Sequence, residues 1–250
     1  MIARDEAHNI ERCLRSLQWA DSLLVVVDDR TVDATAEISA LCGATVVVRR
    51  FTDYAQQRNA ALDVAEDDWV LFVDADEVVT PELAEEVRRV TKAGRVAGFW
   101  VPRRNILFGH WVRNAGWSPD YQLRLLRRSL ARYREDRSVH ELVDLQGAEG
   151  HLENPFIHYN YSSVGQFIGK QRVYSRMEAD DMYRRGLRAK PQNFVLQPWR
   201  QFWRRYFTLR GYRDGWVGLL LSVLLAYYEL KTYTRLSSLP HGGVDVPTGG

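Results

Sequence analysis

The stretch "WVLFVDADEVVTPEL", residues 69–83, decides the fold of this chain. Its first five residues, 69–73, are all apolar and predict a short buried strand. Three carboxylates follow within four positions, Asp74, Asp76 and Glu77. Acids packed this closely repel one another unless they face water or bind a cation. The sequence therefore predicts either a solvated turn or a cation site at the end of this strand.

Helix capping does not account for these acids. Thr80 and Pro81 are typical of a helix N-cap and first helical position, so a helix is predicted to begin there. That start lies beyond Asp74 and Asp76. An Asp-X-Asp pair at the end of a strand suits Mg²⁺ or Mn²⁺ held against a diphosphate, because such ions take oxygen ligands and keep positions open for phosphate oxygens.

The preceding residues alternate between strand and helix patterns. Strands are predicted at 23–27, 45–48 and 69–73, and helices at 9–19, 33–42 and 54–65. This alternation is typical of βαβ units and a mostly parallel sheet with helices on both faces. Ligands of such sheets gather beyond the carboxyl ends of the strands. We therefore expect Asp28 and Asp74, which each follow a strand, to lie on one rim.

The pattern changes after the third strand. Residues 98–165 are aromatic-rich and predict antiparallel strands or long loops, and residues 166–236 predict a mainly helical region. The glycine- and proline-rich residues 237–250 are expected to be a disordered tail. Between residues 170 and 213 there are 12 Lys and Arg against three acids, an excess of nine positive charges by this count.

Whole-chain composition says less about function. The 250 residues are 46% hydrophobic and 26% charged, with a net charge of +2. Nothing in that balance points to a nucleic-acid partner. The two cysteines, Cys13 and Cys42, have neither metal-site nor disulfide-framework spacing, which favours the cytoplasm.

Four ordered motifs resemble the nucleotide-sugar domain of GT-A-fold glycosyltransferases of family 2, and more narrowly bacterial enzymes of the lipopolysaccharide-core glucosyltransferase type. They are "ARDEAHN" (3–9), "VVVDDRTVDAT" (25–35), "YAQQRNAAL" (54–62) and "WVLFVDADE" (69–77). The segments "GWSPDYQLRLLRR" (116–128) and "VHE" (139–141) are also similar to that subgroup. The resemblance implies a nucleotide-sugar-binding half at 1–97 and an acceptor-side, catalytic half at 98–165.

The resemblance also implies roles for individual residues on the donor side. The segment from Ala3 through Arg4 to Glu6 would line the nucleoside pocket, and Asp28 would accept hydrogen bonds from the base or ribose. The other donor-side residues would be Arg58 near the base or diphosphate, Asp74 at the ribose or metal, and Asp76 on the metal. From the residues alone, the less favoured alternatives are that Asp28 is a turn acid and Arg58 a helix-surface charge.

An inverting transfer also needs a base for the acceptor hydroxyl. Asp120 is the candidate, since it precedes a segment, Gln122 to Arg124, that partly resembles a family motif; the alternative is an N-cap at "SPDYQ". His140 with Glu141, and His158, are second candidates for binding the metal or the acceptor. A lone histidine more often satisfies a hydrogen bond in the core.

Two departures from the family pattern leave other functions open. The segment after Asp28 carries extra charges, and the family's first strand is reduced here to Met1 and Ile2, so we expect the start at Met1 to be truncated or misassigned. A membrane-associated, catalytically inactive binding module is therefore one alternative. A nucleotidyltransferase is another, although no glycine-rich phosphate loop is visible near the N-terminus.

The helical region carries a candidate membrane surface. Aromatic residues are spaced to form one stripe on a helix, with Arg200, Arg204 and Arg205 off it; the stripe comprises Trp199, Phe202, Trp203, Tyr206 and Phe207. Rings beside guanidinium groups suit a lipid headgroup layer, although the stripe could instead pack on the catalytic domain or on a second subunit. The favoured prediction is an enzyme using a UDP-sugar and a lipid-linked or envelope glycan acceptor, peripheral on the cytoplasmic face of the bacterial inner membrane.

Overall fold

The computed structural model describes residues 1–94, 96–135 and 143–240. These residues form two compact units. The first comprises Met1–Ile106 and Pro119–Asn160, and the second comprises Leu107–Ser118 and Tyr161–Gly250. The second unit thus takes in a short segment, 107–118, that the sequence pattern grouped with the acceptor-side half.

Strands and helices alternate through the first half of the chain, and long helices dominate the end. The strands are β1 (Ile2–Ala3), β2 (Leu24–Asp28), β3 (Thr45–Arg49), β4 (Trp69–Leu71), β5 (Glu77–Val79), β6 (Gly98–Leu107), β7 (His110–Trp111), β8 (Tyr121–Arg127), β9 (Ala131–Tyr133), β10 (Val143–Leu145), β11 (Glu149–His151) and β12 (Phe156–Tyr161). The helices are α1 (Ile10–Arg15), α2 (Thr35–Leu41), α3 (Tyr54–Val64), α4 (Pro81–Lys92), α5 (Val164–Arg184), α6 (Asn193–Trp203) and α7 (Gly215–Ser238).

The first three strands form a parallel sheet in the order β1-β2-β3. Strand β1 has only two residues, and Ile2 pairs with Val26 of β2. The amino group of Met1 also donates to the carbonyl oxygen of Leu24 over 2.8 Å. The βαβ units predicted from the alternation are therefore present in this part of the chain.

Strand β4 does not continue that parallel sheet. It pairs antiparallel with β8, so that Val70 lies opposite Leu126, and β8 in turn pairs antiparallel with β6. The second sheet runs in the order β4-β8-β6-β12-β5, with β11 parallel to β6. The predicted α/β class is correct, but strand directions are more mixed than a mostly parallel sheet.

The acidic turn after β4 connects two strands. The strand predicted over 69–73 ends at Leu71, and Glu77 begins β5 rather than facing water. Helix α4 begins as predicted, because the side chain of Thr80 accepts a hydrogen bond from the backbone N–H of Leu83. Glu77 is fully buried and anchors its end of the turn in the core, while the side chains of Asp74 and Asp76 are 30% and 25% exposed.

Two apolar clusters lie in the first unit. One contains Ile10, Leu14 and Val25, and the other contains Val26 and Phe72. Strand β2 therefore buries residues on both of its faces, which explains its uninterrupted run of apolar residues.

The second unit has a separate apolar cluster that includes Leu107, Phe167 and Leu221. Helix α7 packs against α5 and α6. Near its start, a Cβ atom on Gly218 would lie 1.9 Å from the carbonyl oxygen of Gly211, so only glycine fits this contact.

The helical region differs from its prediction in two details. Helix α7 extends to Ser238, past the predicted start of the tail at 237, and residues 241–250 lie outside the described part of the chain. Arg205, expected on an exposed basic face, is half-buried and donates to the carbonyl oxygen of Ala115 over 2.7 Å. Among the helices of the described residues, none is long and apolar enough to cross a membrane.

Candidate active site

A cavity of about 390 Å³ opens in the first unit, at the ends of β1 and β2 and beside the acidic turn. It brings together nine of the candidate site residues, of which Arg124 and His158 were second-rank candidates: Ala3, Arg4, Glu6, Asp28, Arg58, Asp74, Asp76, Arg124 and His158. Asp28 and Asp74 therefore lie close together as expected, although the strands they follow, β2 and β4, belong to different sheets. Asp120 and Gln122 do not line this cavity, and His140 and Glu141 lie outside the described residues.

Asp28 supplies a buried carboxylate to one side of the cavity. Arg30 donates to both of its oxygens, with Nε 3.1 Å from Oδ1 and Nη2 2.9 Å from Oδ2, and Arg4 Nη1 lies 3.5 Å from Oδ2. The hydrogen bonds from Arg30 hold the pKa of Asp28 well below its usual range. Asp28 therefore stays ionised at neutral pH and can only accept hydrogen bonds.

Two aromatic residues of the cavity were missed by the sequence reasoning. The rings of Phe51 and Tyr54 are 5.0 Å apart at an interplanar angle of 76°, and the Arg30 guanidinium lies 5.8 Å from the centre of the Phe51 ring. The available signal was the short segment 51–54, "FTDY", which places two aromatic residues around the Asp53 N-cap of α3. Rings at this position offer flat apolar surface to a planar ligand.

Asp74 is clamped by two arginines. Arg58 Nη2 lies 3.2 Å from Oδ1, and Arg124 Nη2 lies 2.6 Å from Oδ2. Arg58 is itself buried, with its guanidinium 5.3 and 5.6 Å from the ring centres of Phe72 and Tyr133. Burial alone would raise the pKa of Asp74, but the charges of Arg124 and Arg58 outweigh it and hold that pKa well below its ordinary value.

The side chain of Asp76 lies opposite that of His158 in the cavity. Its Oδ2 atom lies 3.4 Å from Nε2 of His158, and its carbonyl oxygen accepts a hydrogen bond from the backbone N–H of Tyr159. The pairing of β5 with β12 places Glu77 opposite His158 and so fixes this arrangement. In the described residues no cluster contains three or more His, Cys, Asp or Glu able to hold a metal. A cation here would take its remaining ligands from substrate or water.

Glu77 holds the backbone of the acidic turn from its buried side. Its Oε2 accepts the backbone N–H of Asp74 over 2.9 Å, and Oε1 lies 3.6 Å from Nη1 of Arg103. Burial, followed by the negative charge of Asp74, raises the pKa of Glu77. The third acid of the opening motif therefore positions the backbone of the first.

Asp120 sits in a dense hydrogen-bond network. Arg103 grips both of its oxygens, Nε at 2.9 Å and Nη2 at 3.2 Å, while Asn105 and Gln122 each donate to one oxygen at 3.0 Å. Burial alone would raise the pKa of Asp120. The hydrogen bonds and the charge of Arg103 are the largest of the opposing effects, and the net result is a lowered pKa. An acceptor hydroxyl would have to replace one of these donors before Asp120 could take its proton.

Comparison with known proteins identifies the family of this chain. Residues 1–142, more than half of the chain, match the family described as "Glycosyl transferase family 2". The chain belongs to glycosyltransferase family 2. The resemblance drawn from the ordered motifs is thereby confirmed, and with it the enzyme class, a transferase that uses a nucleotide-sugar donor.

Relatives of this glycosyltransferase extend the match beyond the family domain. An uncharacterized glycosyltransferase of Rickettsia bellii is 25% identical over 96% of this chain and 85% of its own length. The lipopolysaccharide core biosynthesis glycosyltransferase LpsC of Rhizobium meliloti is 27% identical over 94% of this chain and 90% of its own length. Among solved structures, S. aureus TarS (residues 1–349) in complex with UDP is 15% identical, with a TM-score of 0.49, covering 94% of this chain and 88% of that one.

Proposed function

We propose that this enzyme transfers a sugar from a UDP-sugar, with inversion and with a divalent cation, to a lipid-linked or cell-envelope glycan. The observation that carries this proposal is the facing pair of Asp76 and His158 in the same cavity as the arginine-clamped Asp74. A carboxylate and an imidazole beside guanidinium groups form a site for a cation and an anionic phosphate ligand.

The nucleoside end of the donor is assigned to the cavity wall around Asp28. Its ionised carboxylate would accept an N–H of the base or a ribose hydroxyl, and Phe51 and Tyr54 would contact the flat face of the base. Arg4, whose side chain is half exposed, would reach the diphosphate. The cavity volume lies in the range of ordinary small-molecule sites.

The residues present fit Mn²⁺ or Mg²⁺. Ligands about 2.1 Å from one ion lie roughly 3 Å apart when they occupy neighbouring corners of an octahedron. The 3.4 Å between Asp76 Oδ2 and His158 Nε2 is close to that separation. When bound, the cation would neutralise the diphosphate leaving group. Asp74 is the weaker metal candidate, because two arginines already occupy its oxygens.

Asp120 remains the proposed base on the acceptor side. It is held ionised, as a base must be, and its carboxylate lies in a polar network with Arg103 and Gln122. An arriving hydroxyl that displaced Arg103 would remove its positive charge from Asp120, and this loss would raise the basicity of Asp120 at the moment of transfer. Arg103 would then control when Asp120 acts.

The proposed location, peripheral on the cytoplasmic face of the bacterial inner membrane, rests on the second unit. Trp199, Trp203 and Phe207 are exposed, and their rings form a ladder with centres 5.8 and 4.4 Å apart. Arg200 and Arg204 are exposed beside them. Aromatic rings next to guanidinium groups match the chemistry of an anionic lipid headgroup layer, and a membrane-bound acceptor would be met there.

Nucleotide release tests the proposal. Purified enzyme should release UDP from at least one UDP-sugar in the presence of Mn²⁺ and an extract of bacterial envelope glycolipid, and EDTA should stop the release. Turnover that is insensitive to EDTA would refute the cation requirement. Release of GDP from GDP-sugars alone would refute the donor assignment.

A further inference from the structure

A chain of hydrogen bonds connects the proposed base to the proposed metal ligand. Asn105 Nδ2 lies 3.0 Å from Oδ2 of Asp120, and Asn105 Oδ1 lies 2.7 Å from Nδ1 of His158. On the other side of the ring, His158 Nε2 lies 3.4 Å from Oδ2 of Asp76. Asn105 is 1% exposed, so bulk water does not compete with these partners.

The directions of these hydrogen bonds are dictated by chemistry. The ionised carboxylate of Asp120 can only accept, so the amide group of Asn105 must face it with its NH₂. The amide oxygen of Asn105 then faces His158, and the ring must donate through Nδ1–H. In the neutral imidazole the proton is consequently on Nδ1, and Nε2 presents its lone pair to Asp76.

This orientation leaves a gap between Nε2 and Asp76 that only a cation, either a proton or a metal ion, can bridge. A lone pair on His158 Nε2 and the carboxylate of Asp76 are both acceptors, and they repel each other at 3.4 Å. A positive charge between them removes that repulsion. The network around Asp120 thus prepares a nitrogen ligand and an oxygen ligand for one ion.

We propose that Asn105, oriented by Asp120, is a positioning residue that fixes the tautomer and ring orientation of His158 for binding the divalent cation. This inference rests on the proposed function, because it presumes the cation. Residue 105 lies on β6, and residue 120 immediately precedes β8, the strand paired with β6. The inference therefore means that residues on the acceptor side of the site help to position a metal ligand on the donor side.

Mn²⁺ titration in the presence of saturating UDP tests the inference, with the EPR signal of free Mn²⁺ as the readout. Asn105→Leu, which keeps the approximate volume and removes both hydrogen bonds, should weaken Mn²⁺ binding by about 10- to 100-fold, the usual effect of losing the partner of a metal-binding histidine. Asn154→Leu is the matched control: it removes a 2.9 Å amide–carboxylate hydrogen bond to Glu86 in the same unit, outside the cavity. Its Mn²⁺ affinity should stay at the wild-type level.

A swap of the two side chains keeps the inference testable if Asn105→Leu fails to fold. In Asn105→Asp combined with Asp120→Asn, residue 120 can donate to residue 105, and residue 105 still accepts from His158. This double variant should keep Mn²⁺ affinity within about threefold of wild type, whereas its turnover should remain low if Asp120 is the base.

The outcomes separate this inference from the proposed function. If the wild-type enzyme with UDP does not bind Mn²⁺, the cation requirement fails and the inference fails with it. If the wild type binds Mn²⁺ but Asn105→Leu binds it equally well, the inference alone is wrong. A double variant as weak as Asn105→Leu would also overturn it.

Discussion

The guanidinium group of Arg124 donates to Oδ2 of Asp74 over a distance of 2.6 Å. With Arg58 on the other oxygen, the first acid of the Asp-X-Asp pair is neutralised by the protein itself. Asp76 faces a histidine instead, with its Oδ2 3.4 Å from Nε2 of His158. The two acids of one motif therefore have different partners: Asp74 is paired with two arginines, and Asp76 lies against an imidazole.

Replacing Asp76 should abolish the reaction. We expect Asp76→Ala to lower turnover by about 10²-fold or more, because the diphosphate loses the cation that stabilises its developing charge. The measurement is UDP release across a Mn²⁺ titration. Asp63→Ala removes an exposed acid paired with Arg132 and should retain wild-type rates. Near-normal activity of Asp76→Ala would remove Asp76 from the metal site.

Asp120→Asn should separate catalysis from donor binding. The amide keeps an oxygen for Asn105 but cannot take a proton, so turnover should fall by about 10²-fold while UDP-sugar affinity stays close to wild type. Calorimetry with a UDP-sugar and a single-turnover assay measure the two effects. A variant that loses donor affinity instead would place Asp120 among the binding residues.

The buried arginine of the clamp should matter for stability. Arg58 is 4% exposed and paired with Asp74, so Arg58→Leu leaves that carboxylate short of one counter-charge and should cost about 2–3 kcal/mol of unfolding free energy. Urea unfolding gives this value from the shift in midpoint. Arg132→Leu, at an exposed pair, is the control and should cost less than about 0.5 kcal/mol. Equal effects of the two substitutions would contradict the prediction.

The contact between Asp28 and Arg30 should make stability depend on pH. Because the pKa of Asp28 is lowered in the folded protein, its contribution to stability is complete above the unfolded value of about 4 and is lost as the pH falls through the folded pKa. Arg30→Ala should therefore destabilise the protein at pH 7, and the difference from wild type should shrink in increasingly acidic buffer. Arg15→Ala, which removes an exposed pair with Glu11, is the control and should change stability far less. A difference that grows on acidification would reverse the assignment.

Membrane attachment can be tested by liposome flotation. The wild type should float with anionic vesicles and be partly released by high salt, because exposed charges are screened. Trp199→Ser combined with Trp203→Ser should lower the floating fraction. Trp111→Ser changes another exposed tryptophan of the same unit and should leave flotation unchanged. Wild-type protein that stays in the soluble fraction at low salt would show that the ladder is not a lipid-binding surface.

Local sequence patterns predicted much of the first sheet. Apolar runs gave β2 and β3, and the Thr80 cap gave the start of α4. The antiparallel pairing of β4 with β8 was not predictable in this way. Those strands are about 50 residues apart, and a three-residue apolar strand carries no information on the direction of its partner.

Part of the candidate site could not be predicted from local sequence patterns. The strand ends correctly placed Asp28 and Asp74 in one cavity. The burial of Glu77 and the hydrogen bonds of Asn105 depend on tertiary contacts between distant strands. No spacing of residues along the sequence therefore predicts them. Phe51 and Tyr54 were overlooked because aromatic residues near a helix start are ordinary in cores, and only the cavity distinguishes them.

The contact at Gly218 has a consequence for the evolution of this chain. Because a methyl group there would occupy the position of the Gly211 carbonyl oxygen, the site tolerates no side chain while that backbone contact exists. The pair of glycines is thus a sequence signature of the contact: homologues that preserve it should keep glycine at position 218, and those that do not should begin the last helix differently. A homologue with a larger residue at position 218 should accordingly have a different backbone path between the segment around residue 211 and its last helix.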